Sequence, residues 1–229
     1  MKKLVMFDMD GILFDSMPNH ATAWSKTMHD MGYDFPESVY YENEGRTGSG
    51  TIALLLGHPV DNAFCQEVYS RKAAYFDALP KASPMPGALE AVSAVRKLGI
   101  PAIVVTGSGQ KLLMTRIAEN YPGLFNPDWM VCSADVSKGK PDPEPYLLGA
   151  SKAGIGPRDA VVVENAPLGV RAGHDAGCFV VAVNTGPLTD EALLEQGADV
   201  IFHSMSELAG EITAIVSETG KYAKDRTEP

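Results

Sequence analysis

Two carboxylates one residue apart, Asp8 and Asp10, end the apolar run Leu4-Val5-Met6-Phe7 and are followed by Gly11. In a strand, residues i and i+2 point to the same side. If Leu4–Phe7 is a buried strand, both carboxylates leave its C-terminal end on one face, and the glycine releases the chain. Neighbouring carboxylates repel each other unless a cation or a shared proton holds them. The chemistry open to them is a Mg²⁺ site, an acid beside a nucleophile, or both.

The elements that must position such a pair follow from the hydrophobic pattern. Short β-rich runs recur at Leu4–Asp8, Ala102–Thr106, Met130–Ser133, Ala160–Glu164, Phe179–Asn184 and Asp199–Phe202. Helical patterns lie among them at Gly87–Leu98, Gln110–Asn120, Pro143–Ala153, Leu168–Ala176 and Asp190–Gln196. This alternation predicts an α/β fold, a Rossmann-like doubly wound parallel sheet. Ligands of such sheets bind beyond the C-terminal strand ends. The polar residues gather there: Asp8 and Asp10, Thr106 and Ser108, Glu164 and Asn165.

One connection is too long for a single crossover. Residues from about 16 to 80 read as helical, over Met17–Gly32, Gly50–Leu56 and Asn62–Ala78, and a Pro-rich linker follows at Pro80–Pro86. The expected organisation is a core of residues 1–15 and 81–229 with a helical cap, 16–80, inserted after the first strand. The tail from about 216 to 229 is expected to fray.

The 229 residues are 45% hydrophobic and 21% charged, enough for a core. The formal net charge of −10 disfavours nucleic acid and anionic lipid as partners. A phosphorylated substrate is also repelled at long range, so a metal and a few placed cations must reverse the sign locally. Cys65, Cys132 and Cys178 lack metal-type spacing and are expected to be buried thiols. No stretch reaches transmembrane length, and Asp8 and Asp10 break the first apolar run too early for a signal peptide. The expectation is a cytoplasmic, reduced protein, monomeric or weakly dimeric.

Four ordered segments resemble the motifs of the haloacid dehalogenase superfamily of phosphotransferases. They are Phe7-Asp8-Met9-Asp10-Gly11, Val104-Val105-Thr106-Gly107-Ser108, Gly139-Lys140-Pro141-Asp142-Pro143-Glu144-Pro145-Tyr146, and Val162-Val163-Glu164-Asn165-Ala166-Pro167-Leu168-Gly169-Val170. The inserted cap and the Lys-Pro-x-Pro-Glu run are similar to the β-phosphoglucomutase-like subgroup. The resemblance implies that Asp8 is the nucleophile forming an aspartyl-phosphate. It implies that Asp10 is the general acid and then the base for water, its carbonyl also facing the metal. Thr106, with Gly107 and Ser108, would hold a phosphoryl oxygen, and Lys140 would pair with Asp8 and the phosphoryl group. Mg²⁺ is the implied cofactor, on Asp8, Asp10, Glu164 and the next residue.

That next residue departs from the family pattern, in which a second acid is usual. Asn165 offers a carbonyl oxygen but no charge. The glycine-rich turn Asn43-Glu44-Gly45-Arg46-Thr47-Gly48-Ser49-Gly50, between cap helices, offers Glu44 to restore the charge when the cap closes. It is no P-loop, since Gly-x₄-Gly-Lys-Ser/Thr is absent. Arg46 would grip the far end of the substrate. His20 either orients Asp10 or packs, and Lys72 faces the cleft or water. In sugar-phosphate mutases the cap cation sits further along this loop. An added acid and a displaced arginine favour a small, highly charged substrate, and the Asn-site and Glu-cap pattern is similar to that of the family's inorganic pyrophosphatase members, so Mg²⁺-dependent hydrolysis of inorganic pyrophosphate is the leading expectation. The alternative is a β-phosphoglucomutase or a sugar-phosphate phosphatase. A non-catalytic phosphometabolite-binding protein on the same fold is the alternative of a different class.

Overall fold

The computed structural model describes residues 1–44, 46, 48–219 and 222. Five strands, β1 (Leu4–Phe7), β2 (Ala102–Val104), β3 (Ala160–Glu164), β4 (Phe179–Val183) and β5 (Val200–Phe202), form one parallel sheet in the order β2-β1-β3-β4-β5. β1 lies inside the sheet, so its C-terminal end opens between the ends of β2 and β3. The strands are hydrophobic without interruption because both faces are covered. Val5, Phe7, Val104, Val161, Val163 and Val181 pack with α5 (Ala88–Lys97) and α10 (Met205–Ser217). Leu4, Met6, Ile103, Val162 and Val180 point the other way, onto α7 (Glu144–Lys152) and α8 (Pro167–Asp175). α6 (Gln110–Asn120) and α9 (Asp190–Leu194) complete this layer architecture.

The helices α1 (Met17–Asp30), α2 (Ser38–Glu42), α3 (Gly48–Leu56) and α4 (Asn62–Asp77) share a separate apolar cluster. Ala21, Trp24 and Met28, spaced as one helical stripe, meet Tyr40, Ile52, Leu55, Cys65 and Val68 there. The chain enters and leaves these helices side by side. Asp15 N–H donates to Ser83 O at 3.0 Å and Met85 N–H to Leu13 O at 2.9 Å. This paired two-strand neck is what joins the cap cluster covalently to the sheet.

Three expectations change. Met130–Ser133 is not a strand: only Val131 bridges, to Val105, because Ser133 and Asp135 turn the chain away beside the end of β2. The C-terminal residues Val216 and Ser217 belong to α10, with Val216 fully buried, and Tyr222 is also buried. Glu218 and Thr219 bond back through their N–H groups to Ile215 O and Ala214 O at 3.1 Å, and 220, 221 and 223–229 of the segment expected to fray lie outside the described residues. Finally, α10 itself was not anticipated. Its signal is present, a Ser204-x-x-Glu207 capping box before an apolar periodic run, and Ser204 Oγ accepts from Glu207 N–H at 3.1 Å. All three cysteines are buried and free, as expected.

Candidate active site

At the end of β1 the chain reverses tightly through Gly11, at φ +81°, a backbone that only glycine adopts without strain. A Cβ there would also lie 2.2 Å from the Asn165 amide, so the glycine lets the loop after β3 close against the loop after β1. Asp8 and Asp10 are thereby buried, with Asn165, Thr106 and Lys140 buried around them.

Lys140 Nζ donates to Asp8 Oδ1 at 2.5 Å and to Glu164 Oε1 at 2.6 Å, and to Val105 O at 3.2 Å. Burial opposes a charge on this ammonium, but Asp8 and Glu164 outweigh it and hold Lys140 above its usual value. Burial pushes Asp8 above the ordinary carboxylate range; Lys140 opposes that shift, and Glu164 and Asp10 add to it. Glu164 is placed differently from the metal ligand expected. Its Oε1 accepts from Lys140 and from Tyr146 Oη at 2.7 Å, and its Oε2 accepts from the amides of Asn165 and Ala166. With its acceptor positions filled in this way it is the counter-ion of Lys140 rather than a free donor to a metal. Gly169 makes room for it, since a Cβ there would lie 1.8 Å from Oε1.

Asp10 is held by two hydroxyl donors, Ser16 Oγ at 2.5 Å and Ser108 Oγ at 2.8 Å. Burial would raise this carboxyl, yet His20 and the two hydroxyls keep it below the usual range. His20 Nε2 lies 3.3 Å from Asp10 Oδ1. Burial pushes His20 down more than Asp10 lifts it, while His20 first and then the two serine hydroxyls hold Asp10 down. Ser16 was not anticipated: a hinge serine has no spacing that marks it. Lys72 does not face water. It is buried, its Nζ lies 2.7 Å from His20 Nδ1, and Trp24, Tyr69 and Phe76 surround the ammonium. Thr106 Oγ1 accepts from Ser108 N–H at 3.0 Å, which folds the loop Thr106-Gly107-Ser108 over the pair of aspartates.

The cap turn reaches this cluster. Asn165 Nδ2 donates to Glu44 Oε2 at 2.9 Å, and burial with Asp8, Glu164 and Asp10 pushes Glu44 well above its usual value. Gly45 and Thr47 of that turn lie outside the described residues. Among the described residues no three His, Cys, Asp or Glu side chains converge as a ready metal set. A hard cation nonetheless fits. Glu44 Oε1 and Asn165 Oδ1 are buried oxygens without a hydrogen-bond partner, and the carboxylates near Asp8 outnumber the one ammonium among them. Oxygen donors of this kind suit Mg²⁺. Asp8, Asp10, His20, Glu44, Arg46, Lys72, Thr106, Gly107 and Ser108, all expected at the site, line one cavity of about 80 Å³ between cap and sheet. Arg46 presents there a buried Nε with no partner.

Residues 2–177 match the family model described as hydrolase, haloacid dehalogenase-like hydrolase. The chain is 34% identical over 204 residues to hexitol phosphatase A of Escherichia coli (strain K12), covering 89% of this chain and 91% of the relative. It is 32% identical over 212 residues to validoxylamine A 7'-phosphate phosphatase of Streptomyces hygroscopicus subsp. limoneus, covering 91% and 96%. A solved structure from Bacteroides vulgatus, provisionally assigned as a β-phosphoglucomutase, superposes with a TM-score of 0.90 at 46% identity, covering 94% of this chain and 89% of that one. These relatives give no support to pyrophosphate as the substrate. No helix among the described residues is long and apolar enough to cross a membrane.

Proposed function

The chain belongs to the haloacid dehalogenase-like hydrolase family, and from that premise we propose that it is a Mg²⁺-dependent phosphatase of small sugar and polyol phosphates, working through an aspartyl-phosphate on Asp8. The observation that carries this is Asp8 in contact with Lys140 and beside Asp10 in one cavity beneath the cap. The relatives' substrates, as their names state them, turn the choice from pyrophosphate to a carbon leaving group.

An oxygen of Asp8 attacks phosphorus, forming the Asp8 O–P bond while the P–O bond to the leaving group breaks. Asp10, entering protonated, gives its proton to the departing oxygen. Asp10 then takes a proton from water, the water oxygen attacks phosphorus, and Asp8 is released as phosphate leaves. In the arrangement described here Asp10 is ionised, the form needed for this second half. Lys140 neutralises Asp8 and then the phosphoryl oxygens, while Thr106 and the loop amides take the remaining oxygen. Mg²⁺, held by Asp8, the Asp10 carbonyl, Asn165 and Glu44, would supply charge neutralisation for the phosphoryl group.

The test is phosphate release from hexitol phosphates, hexose phosphates, glycerol 1-phosphate and pyrophosphate. Polyol and sugar phosphates should turn over fastest, and Asp8→Asn should abolish both release and covalent labelling by ³²P substrate. Fastest turnover of pyrophosphate would reject the substrate class. Turnover unaffected by Asp8→Asn would reject the mechanism. The likeness to the Bacteroides vulgatus structure supports a second reading as a β-phosphoglucomutase. Conversion of β-glucose 1-phosphate to glucose 6-phosphate without net phosphate release would establish it.

A further inference from the structure

The cap side of the cavity contains a wall that the phosphoryl chemistry does not use. Tyr69, Lys72 and Phe76 share one face of α4 at i, i+3 and i+7. Lys72 is engaged with His20, and Phe76 packs on the His20 ring at 4.4 Å between centroids. Tyr69 lines the main cavity and also the adjoining mouth that Arg116 and Ser108 border. Its ring stands edge-on to Trp24 at 6.5 Å, yet the residue remains 41% exposed, a large aromatic left open beside the reacting groups. Its hydroxyl has no partner among the described residues. Burial and the charge of Asp10 both push that phenol above its usual value, so the hydroxyl is neutral, and Tyr69 lines the same cavity as Asp10. Gly48, the first residue of α3, is what admits the ring: a Cβ there would lie 2.4 Å from Tyr69 Cδ2 and 2.7 Å from Cε2.

We propose that Tyr69, seated by Gly48, is the residue that selects the leaving group, its ring taking the C–H face of a short polyol chain or sugar and its hydroxyl bonding a hydroxyl of that chain. The assignment rests on the proposed phosphatase reading and deepens it. A neutral phenol and an apolar ring suit a neutral, hydroxylated carbon skeleton, whereas a second phosphate is served by neither. The ring cannot take this position if residue 48 carries a side chain, so the two positions act as a unit.

The experiment measures kcat/KM for glycerol 1-phosphate, a hexitol 6-phosphate and ethyl phosphate, the last having no hydroxyl on its leaving group. Tyr69→Phe removes one oxygen from a partly exposed ring and keeps the packing, so the fold is preserved. It should lower the ratio of polyol phosphate to ethyl phosphate by about tenfold, the size expected for one lost hydrogen bond to a neutral group. Gly48→Ala should lower the same ratio, and Gly48→Ala/Tyr69→Ala should be no worse than Tyr69→Ala alone, because the second change acts only through the ring. A Tyr69→Phe ratio equal to wild type, or additive losses in the double variant, overturns the assignment. If wild-type protein itself shows no preference for polyol phosphates over ethyl phosphate, the polyol and sugar phosphate substrate class fails and takes the assignment with it. A preference in wild type with an unmoved Tyr69→Phe ratio sinks the assignment alone.

Discussion

The substitution of an amide for an acid at Asn165 shifts a burden onto the cap. Glu44 reaches Asn165 from the cap turn and leaves Oε1 buried and unpartnered among carboxylates. Such an atom is costly unless a ligand or ion meets it. Glu44→Ala should therefore raise the Mg²⁺ concentration for half-maximal activity several-fold, roughly tenfold for the loss of one charged oxygen donor; an unchanged metal titration removes this role. Lys72 carries a second test. Burial pulls it down to about 8 from 10.5, against the pull of Asp10 and Asp77. Between those two values the unfolded chain holds a proton that the folded chain has released, so stability contributed by this residue rises with pH from about 8 to 10.5. Melting of wild type and Lys72→Met compared across that window should show wild type gaining on the variant as pH increases. A constant difference would mean that Lys72 titrates normally.

At the scale of elements, the site depends on helices that never touch it. α10 covers the face of the sheet that carries Val5 and Phe7, the residues leading to Asp8. Its N-terminus is satisfied by Ser204, and Leu208, Ile212 and Ile215 are buried. Ser204→Ala should cost about 1 kcal/mol and lower Tm by roughly 2–4 °C, with kcat/KM kept. Ile212→Ala should cost about 2–5 kcal/mol. Equal melting temperatures for Ser204→Ala and wild type would show that water replaces the cap. The two chain segments of the neck, by which the chain enters and leaves the cap helices, are paired by the hydrogen bonds Asp15 N–H to Ser83 O and Met85 N–H to Leu13 O. Glu44 to Asn165 is one contact that holds the cap turn onto the core.

For the whole molecule, net charge and the cations of the cleft act in opposite senses on an anionic substrate. The net charge of −10 repels a phosphate ester before it reaches the cleft. The Debye length falls from about 30 Å at 0.01 M salt to about 8 Å at 0.15 M. KM for a dianionic ester should therefore fall over that range, measured by initial rates at constant free Mg²⁺. A rise would show that Lys72, Arg46, Arg116 and the metal outweigh the global field at encounter distance.

The alternation of apolar runs and helical patterns was enough to name the parallel sheet, the inserted helices and the strand ends where chemistry gathers, because burial on two faces demands a periodicity that any window of residues displays. Asp8, Asp10 and Thr106 were legible for the same local reason, each following an apolar run at a strand end, whereas Lys140, in the loop before α7, was legible only through the resemblance of its segment to a family motif. What the sequence could not show is which polar groups face one another across the fold. Glu164 looked like a metal ligand until Lys140, Tyr146 and two amides were found to fill its oxygens. Ser16 has no local mark of its bond to Asp10, and Lys72 sits on a helix whose surface charge pattern does not say which side meets the cleft. Tyr69 and Gly48 are separated by 21 positions and make sense only as neighbours. Pairings of that kind depend on the approach of separate elements, a property of packing in three dimensions that spacing along the chain does not encode.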